Sequence, residues 1–218
     1  MDPNKLLRFA NMFYSLAAAE ELPPNSDDLK TVLSNVEKLE TYAARKKYAE
    51  ANLRHLSSGS SRIVYLTPGK TIVKLAKNDK GIAQNKAEAN PKMKSKYINK
   101  ILSCANNFAW IEVLYLDKIK EAEFEKMTGL NFGDFGEALS YGLKNVSENA
   151  DSEKPENFDK VSKSDIYKEL KDIGSSFDIL PGDMARISSW GRKDGHPVLI
   201  DSGLTRKIYD DYYEDDNS

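Results

Sequence analysis

Two carboxylates and a lysine carry the chemistry that can be read from this chain. Leu180-Pro181-Gly182-Asp183 is a turn-rich stretch that presents one acidic group. Val198-Leu199-Ile200-Asp201-Ser202-Gly203 is an apolar strand that ends on a second. Upstream, Thr71-Ile72-Val73-Lys74-Leu75-Ala76 sets a lysine among strand-forming apolar neighbours. Burying an unpaired ammonium is costly and calls for an anionic partner, and phosphate is one such partner. Each piece also has a plain structural reading, because Asp and Gly populate turns for backbone reasons. On that reading Lys74 pairs with Glu88, Asp183 caps a turn, and Asp201 closes a strand.

The segment His55-Leu56-Ser57-Ser58-Gly59-Ser60-Ser61 reads as a small-residue turn running into a β-branched and aromatic strand, residues 62–66. Thr67-Pro68-Gly69-Lys70 is a turn signal, and residues 71–76 return as the second strand of a hairpin. The hairpin, its lysine and the two downstream aspartates resemble the protein-kinase-like superfamily, and more closely the small kinase-like proteins of tailed bacteriophages. The resemblance runs over residues 55–210. It implies an α+β, two-lobed protein-kinase-like fold: a helical N-terminal extension at 1–54, a small strand-rich lobe at 55–116, a helical lobe at 117–210 and an acidic tail at 211–218. It further implies an enzyme that uses ATP and Mg2+ and moves the γ-phosphate to a hydroxyl acceptor.

In that scheme Lys74 holds the phosphates, and backbone amides of Ser58, Gly59, Ser60 and Ser61 cover them. Asp201 binds magnesium, with Ser188 at the place of the second ligand. Asp183 accepts or orients the acceptor proton, and Arg186 stabilises the transferred group. Leu114, Tyr115 and Leu116 are the hinge whose backbone meets adenine, and Glu88 is the helical carboxylate available to Lys74.

The chain departs from the family pattern at several positions. Pro181 and Gly182 stand where a histidine shortly precedes the aspartate, and Ser188 stands where an asparagine binds metal. A hydroxyl is a poorer magnesium ligand than an amide oxygen. Lys86 takes the place where the helical glutamate aligns first, and the loop holds a single glycine, Gly59. These departures keep open an alternative, a weak or inactive pseudokinase that serves as a phage binding or virion-associated structural protein. In either case the expected location is the host cytoplasm or the virion, and the N-terminal helices are the surface for a protein partner.

Composition sets outer limits. With 218 residues, 40% of them hydrophobic and 30% charged, the chain suits one substantial domain with an appendage or two small lobes. A formal charge of −2 offers no field for nucleic acid or an anionic membrane. The longest apolar run, residues 108–116, is too short to span a bilayer and is broken by Glu112. No basic segment followed by an apolar one marks a signal peptide. The single cysteine, Cys104, excludes an intramolecular disulfide and is expected to be a small buried hydrophobe. Two histidines, His55 and His196, make a histidine metal site unexpected.

The elements that must position these residues follow from periodicity. Leu6, Leu7, Ala10, Phe13, Tyr14 and Ala17 form one helical stripe. Leu29, Val32, Leu33, Val36, Leu39 and Ala43 form another, with Ser26 or Asp27 as N-cap. Such stripes either pack on the body or form a docking arm. A helix is expected over 79–89, and a strand over 108–116. Asp134-Phe135-Gly136 spells the kinase metal tripeptide, yet Phe135, Ala138, Leu139 and Leu143 recur at helical spacing, so Asp134 reads as a helix N-terminal residue. Residues 145–163 read as a polar surface loop, Ser164 or Asp165 as the cap of a helix ended by Gly174, and residues 192–196 as a hairpin tip. Residues 204–213 read as a short closing helix.

Overall fold

The computed structural model describes residues 28–143 and 153–213. The first helical stripe, the Ser26 and Asp27 caps, most of the polar stretch before 153 and the acidic residues after 213 lie outside the described residues. The chain forms two compact units, whose described residues are 28–82 with 102–115, and 83–101 with 116–143 and 153–213.

The first unit opens with helices α1 (Leu29–Lys38) and α2 (Tyr42–Asn52). The single stripe expected through Ala43 is two helices instead. Leu39 is extended, and the Thr41 hydroxyl accepts from the Ala44 amide at 3.2 Å to begin the second, which leaves Ala43 exposed. The Asn35 amide donates to the Tyr48 hydroxyl at 2.8 Å and ties the pair together. Strands β1 (Arg54–Ser58), β2 (Arg62–Leu66), β3 (Thr71–Ala76), β4 (Ile101–Cys104) and β5 (Trp110–Leu114) form a sheet in the order β1-β2-β3-β5-β4. Strand β1 corrects the sequence reading of residues 55–61 as a turn. Ser57 and Ser58 pair with Val64 and Ile63, and the turn itself is only Gly59 to Ser61. The signal at 67–70 is a turn, closed by a Lys70 amide bond to the Thr67 carbonyl at 3.1 Å.

Strand alternation divides this sheet into two faces. Ile63, Tyr65, Val73, Leu75 and Trp110 share one core with Val32, Leu33 and Val36 of α1 and Ala49 of α2. The described part of the N-terminal stripe therefore packs on the body. The opposite face carries Val64, Leu66, Ile72, Ile111 and Val113 around Lys74, which pairs in register with Val64 and Ile111. Cys104 lies exposed on β4, contrary to the buried place expected from its chemistry, because an end strand of the sheet turns alternate side chains to solvent.

Tyr65 is fully buried, and its hydroxyl has no hydrogen-bond partner among the described residues. Burial raises its phenol pKa well above the usual tyrosine value. Removing an unsatisfied buried polar group relieves its desolvation cost. Tyr65→Phe is accordingly expected to raise stability by about 1 kcal/mol in urea denaturation; a loss of similar size would show that the hydroxyl is bonded in solution.

Helix α3 (Asp79–Glu88) follows β3, within one residue of its expected span. The second unit adds strand β6 (Asp117–Lys118) and helices α4 (Glu121–Thr128), α5 (Phe132–Leu143), α6 (Phe158–Val161), α7 (Asp165–Phe177) and α8 (Pro181–Met184). A 3-10 turn at Ile187–Ser189 leads to β7 (Trp190–Lys193), β8 (His196–Leu199) and α9 (Arg206–Tyr213). Asp134 does lie in the first turn of α5, with the Asn131 side chain accepting from the Gly133 and Asp134 amides at 2.9 and 3.2 Å.

Within the stretch expected to be loop, α6 buries Val161 instead. Ser164 caps α7 as expected, accepting from the Tyr167 amide at 3.4 Å. The helix nevertheless runs through Gly174 to a left-handed Asp178, φ 53°. Leu143 and Met184 pack where a Cβ on Gly174 would sit, so the glycine serves packing rather than termination.

The β7–β8 hairpin turns at Asp194 and Gly195, both with positive φ, as an Asp-Gly tip requires. The core of this unit is an aromatic cluster. Phe124 lies 5.0 Å from both Phe132 and Phe135 and 5.5 Å from Trp190, by ring centroids.

Candidate functional site

Lys74 stands at the centre of β3, 7% exposed, with Val64 and Ile111 as its cross-strand neighbours. The turn between β1 and β2 is held from beneath by the segment that follows β3. The Gly59 amide donates to the Arg62 carbonyl at 2.8 Å, and the Lys77 amide to the Ser61 carbonyl at 2.8 Å. The Lys77 ammonium donates to the Gly59 carbonyl at 2.6 Å, and Gly81 lies so close that a Cβ there would collide with the Ser61 carbonyl. Gly59 and Ser60 are exposed, Ser58 is half-buried at the end of β1, and Ser61 is buried. A glycine-poor loop is thus fixed by contacts from residues 77–81 rather than by its own composition.

In α3, Glu88 is 4% exposed whereas Lys86 is exposed. The carboxylate, not the lysine, occupies the inward face of the helix, beside Gln84 and Asn85. Leu114 ends β5, and the chain passes from the first unit to the second between Tyr115 and Leu116, all three half-buried.

In the second unit, Asp183 sits in the single helical turn α8, half-buried, with the Arg186 guanidinium 3.4 Å from its carboxylate. The Trp190 indole donates to the Met184 carbonyl at 2.8 Å and so pins this turn to the aromatic core. Asp201 follows β8 and is half-buried; the preceding Ile200 amide donates to the Ser189 carbonyl at 2.8 Å. Ser188 is exposed and Ser189 buried. Among the described residues no group of three or more His, Cys, Asp or Glu could hold a metal ion. Magnesium that arrives with a nucleotide needs only one or two protein carboxylates, because phosphate and water oxygens complete its shell. Asp201 suits that limited role.

Sequence reasoning missed Lys118. It lies in β6, in register with Gly191 of β7, where close backbone approach excludes a Cβ: one on Gly191 would meet Leu116 at 2.8 Å. Although Lys118 keeps an exposed surface, burial of its ammonium holds the pKa below the ordinary lysine value, and attraction to Asp201 pulls it back up. The only sequence signal was a lysine just after the apolar run that closes the first sheet. The second unit also contains a cavity of about 670 Å³, lined by Gly133, Glu137, Ser140, Glu153 and Glu156, with Ala185, two residues beyond Asp183, in its wall.

No protein-family model matches the chain, and no curated protein matches it. Its class is defined by the fold: an α+β protein with a five-stranded sheet in one unit and helices with a three-stranded sheet in the other. No helix among the described residues is long and apolar enough to cross a membrane.

Proposed function

We propose that the chain is an ATP- and magnesium-dependent phosphotransferase of the kinase-like type, moving the γ-phosphate to a hydroxyl acceptor. One observation carries this reading: Lys74, 7% exposed, is set between Val64 and Ile111 on the third strand of the order β1-β2-β3-β5-β4, with a backbone-pinned turn between the first two strands. A fixed positive charge in such a place suits the neutralisation of a triphosphate. Lys74 and the amides of Ser58, Ser60 and Ser61 hold the phosphates, the Gly59 amide being taken by the Arg62 carbonyl, and the backbone at Leu114 to Leu116 receives the base.

In the second unit, Asp201 carries the magnesium with Ser188 nearby in sequence, and Asp183 orients the acceptor hydroxyl. Phosphoryl transfer asks for positioning and charge neutralisation more than covalent help, so these few groups suffice. The test is ATP turnover by the purified chain. Asp183→Ala is expected to slow it by about 100-fold or more while leaving ATP affinity unchanged; full turnover in that variant excludes Asp183 from the chemistry.

A second reading, a nucleotide-binding module without catalysis, draws on the Arg186 ion pair, which occupies the carboxylate that would take the acceptor proton. Under that reading wild-type turnover is absent while ATP still binds.

A further inference from the structure

We propose that five lysines on the second unit form a binding surface for the phosphate backbone of a double-stranded nucleic acid, engaged without regard to base sequence. Residues 89–100 hold four of them, Lys92, Lys94, Lys96 and Lys100, all exposed, and no acidic residue. The fifth, Lys193, is exposed in the β7–β8 hairpin, where Asp194 is the one carboxylate. Among the described residues none of these five ammoniums is held by an ion pair. Arg192 of the same hairpin faces Glu123 at 3.5 Å and is not counted with them.

The backbone joins the two segments. The Leu199 amide donates to the Tyr97 carbonyl at 2.8 Å and the Asn99 amide to the Leu199 carbonyl at 3.0 Å, so residues 97–99 run beside β8. The Tyr97 ring meets His196 edge-on at 6.4 Å between centroids, and the Lys96 ammonium lies 4.9 Å from the centre of the same ring. The lysine loop is closed on itself. Its Met93 amide donates to the Asn90 carbonyl at 2.9 Å, and the Asn90 side chain accepts from the Lys92 amide at 3.0 Å. The Ser95 hydroxyl accepts from the Tyr97 amide at 2.9 Å. The charges therefore stand on an ordered backbone, which lowers the entropy cost of binding.

What is buried selects the partner. Protein interfaces centre on apolar or aromatic anchors and are poor in lysine. Single strands stack their bases on exposed aromatic rings, and bilayer attachment adds an apolar face or an acyl chain to the charge. Here Met93, Tyr97 and Ile98, between the lysines, are the buried groups, which leaves charge without an anchor at the surface. Such a surface fits a duplex, whose phosphates carry about one negative charge per 1.7 Å of axis. The net charge of −2 conceals it, because the sum includes an acidic end with Asp210, Asp211, Glu214, Asp215 and Asp216. The inference stands apart from the nucleotide site proposed above.

The experiment is fluorescence anisotropy of a labelled DNA duplex of about 20 base pairs and mixed sequence, titrated with the full chain, without nucleotide, at salt from about 50 to 200 mM. Wild type is expected to bind with log affinity falling on log salt at a slope of about −4.5, about 0.9 for each phosphate contact. Lys94→Gln combined with Lys193→Gln should make the slope shallower by about 2 and weaken binding about tenfold or more, whereas arginine at both positions should keep the slope. The duplex should also slow amide exchange of wild type within residues 92–100, a readout that needs no variant. No duplex binding at the lowest salt, an unchanged slope in the glutamine variant or protection elsewhere overturns the proposal. So does lysine-dependent binding to phosphatidylserine vesicles or polyglutamate with none to the duplex.

Discussion

Replacing Trp190 by alanine is expected to cost about 3–5 kcal/mol of stability, the range for deleting a fully buried aromatic side chain. Trp190 has no exposed surface, contacts Phe124, Phe132 and Phe135 edge-on or nearly so, and donates its indole hydrogen to the Met184 carbonyl. The substitution would open a cavity in the aromatic core and strip the indole bond to Met184 that helps fasten the Asp183 turn. Trp190→Phe separates these two effects. It retains much of the ring volume and leaves the Met184 carbonyl without its donor, a loss of about 1–3 kcal/mol. Urea denaturation of both variants is the check. A cost below about 1 kcal/mol for the alanine variant would mean that this core is not packed as described.

The second large effect is expected at Gly81. A methyl group there would strike the Ser61 carbonyl and come within 3.1 Å of the Ala76 Cα and Cβ. All are backbone or backbone-fixed atoms, so the strain cannot be shed by turning a side chain, and overpacking of this kind costs about 1–3 kcal/mol. The Asn78 side chain accepts from the Gly81 amide at 3.1 Å, which keeps the start of α3 against the turn. Gly81→Ala should therefore lower the melting temperature and, more informatively, speed amide exchange at Gly59 to Arg62 beyond the rest of the sheet. Uniform loss without that local change would separate Gly81 from the loop.

Much of this architecture was legible where local chemistry and long-range packing agree. The Lys74 hairpin, α3, the Ser164 cap and the Asp194-Gly195 tip are such places. What was not legible depended on neighbours distant in sequence. Strand β1 is serine-rich and half-buried, so no alternation marks it, and its pairing with β2 makes it a strand. Gly174 stays helical because Leu143 and Met184 press on it, and Cys104 is exposed because of where β4 falls in the strand order. The break at Leu39 is set by the Thr41 cap, which an unbroken apolar stripe conceals.

The candidate site divides the same way. Lys74, Asp183 and Asp201 are candidates that type and spacing alone put forward. Glu88 was named from its chemistry and is buried where Lys86 is exposed, whereas Lys118 came to light only through its register in β6 and its attraction to Asp201.

The most direct test of the proposed nucleotide binding, with Lys74 assigned to the phosphates and Asp201 to the magnesium, is thermal unfolding of the chain titrated with ATP, with and without magnesium. At a ligand concentration about 100 times the dissociation constant, binding to the folded state adds about 2.7 kcal/mol, a plainly measurable melting shift. The account predicts a magnesium-dependent rise that disappears in Lys74→Ala and Asp201→Ala. No rise at millimolar ATP, or a rise that both variants keep, would contradict it.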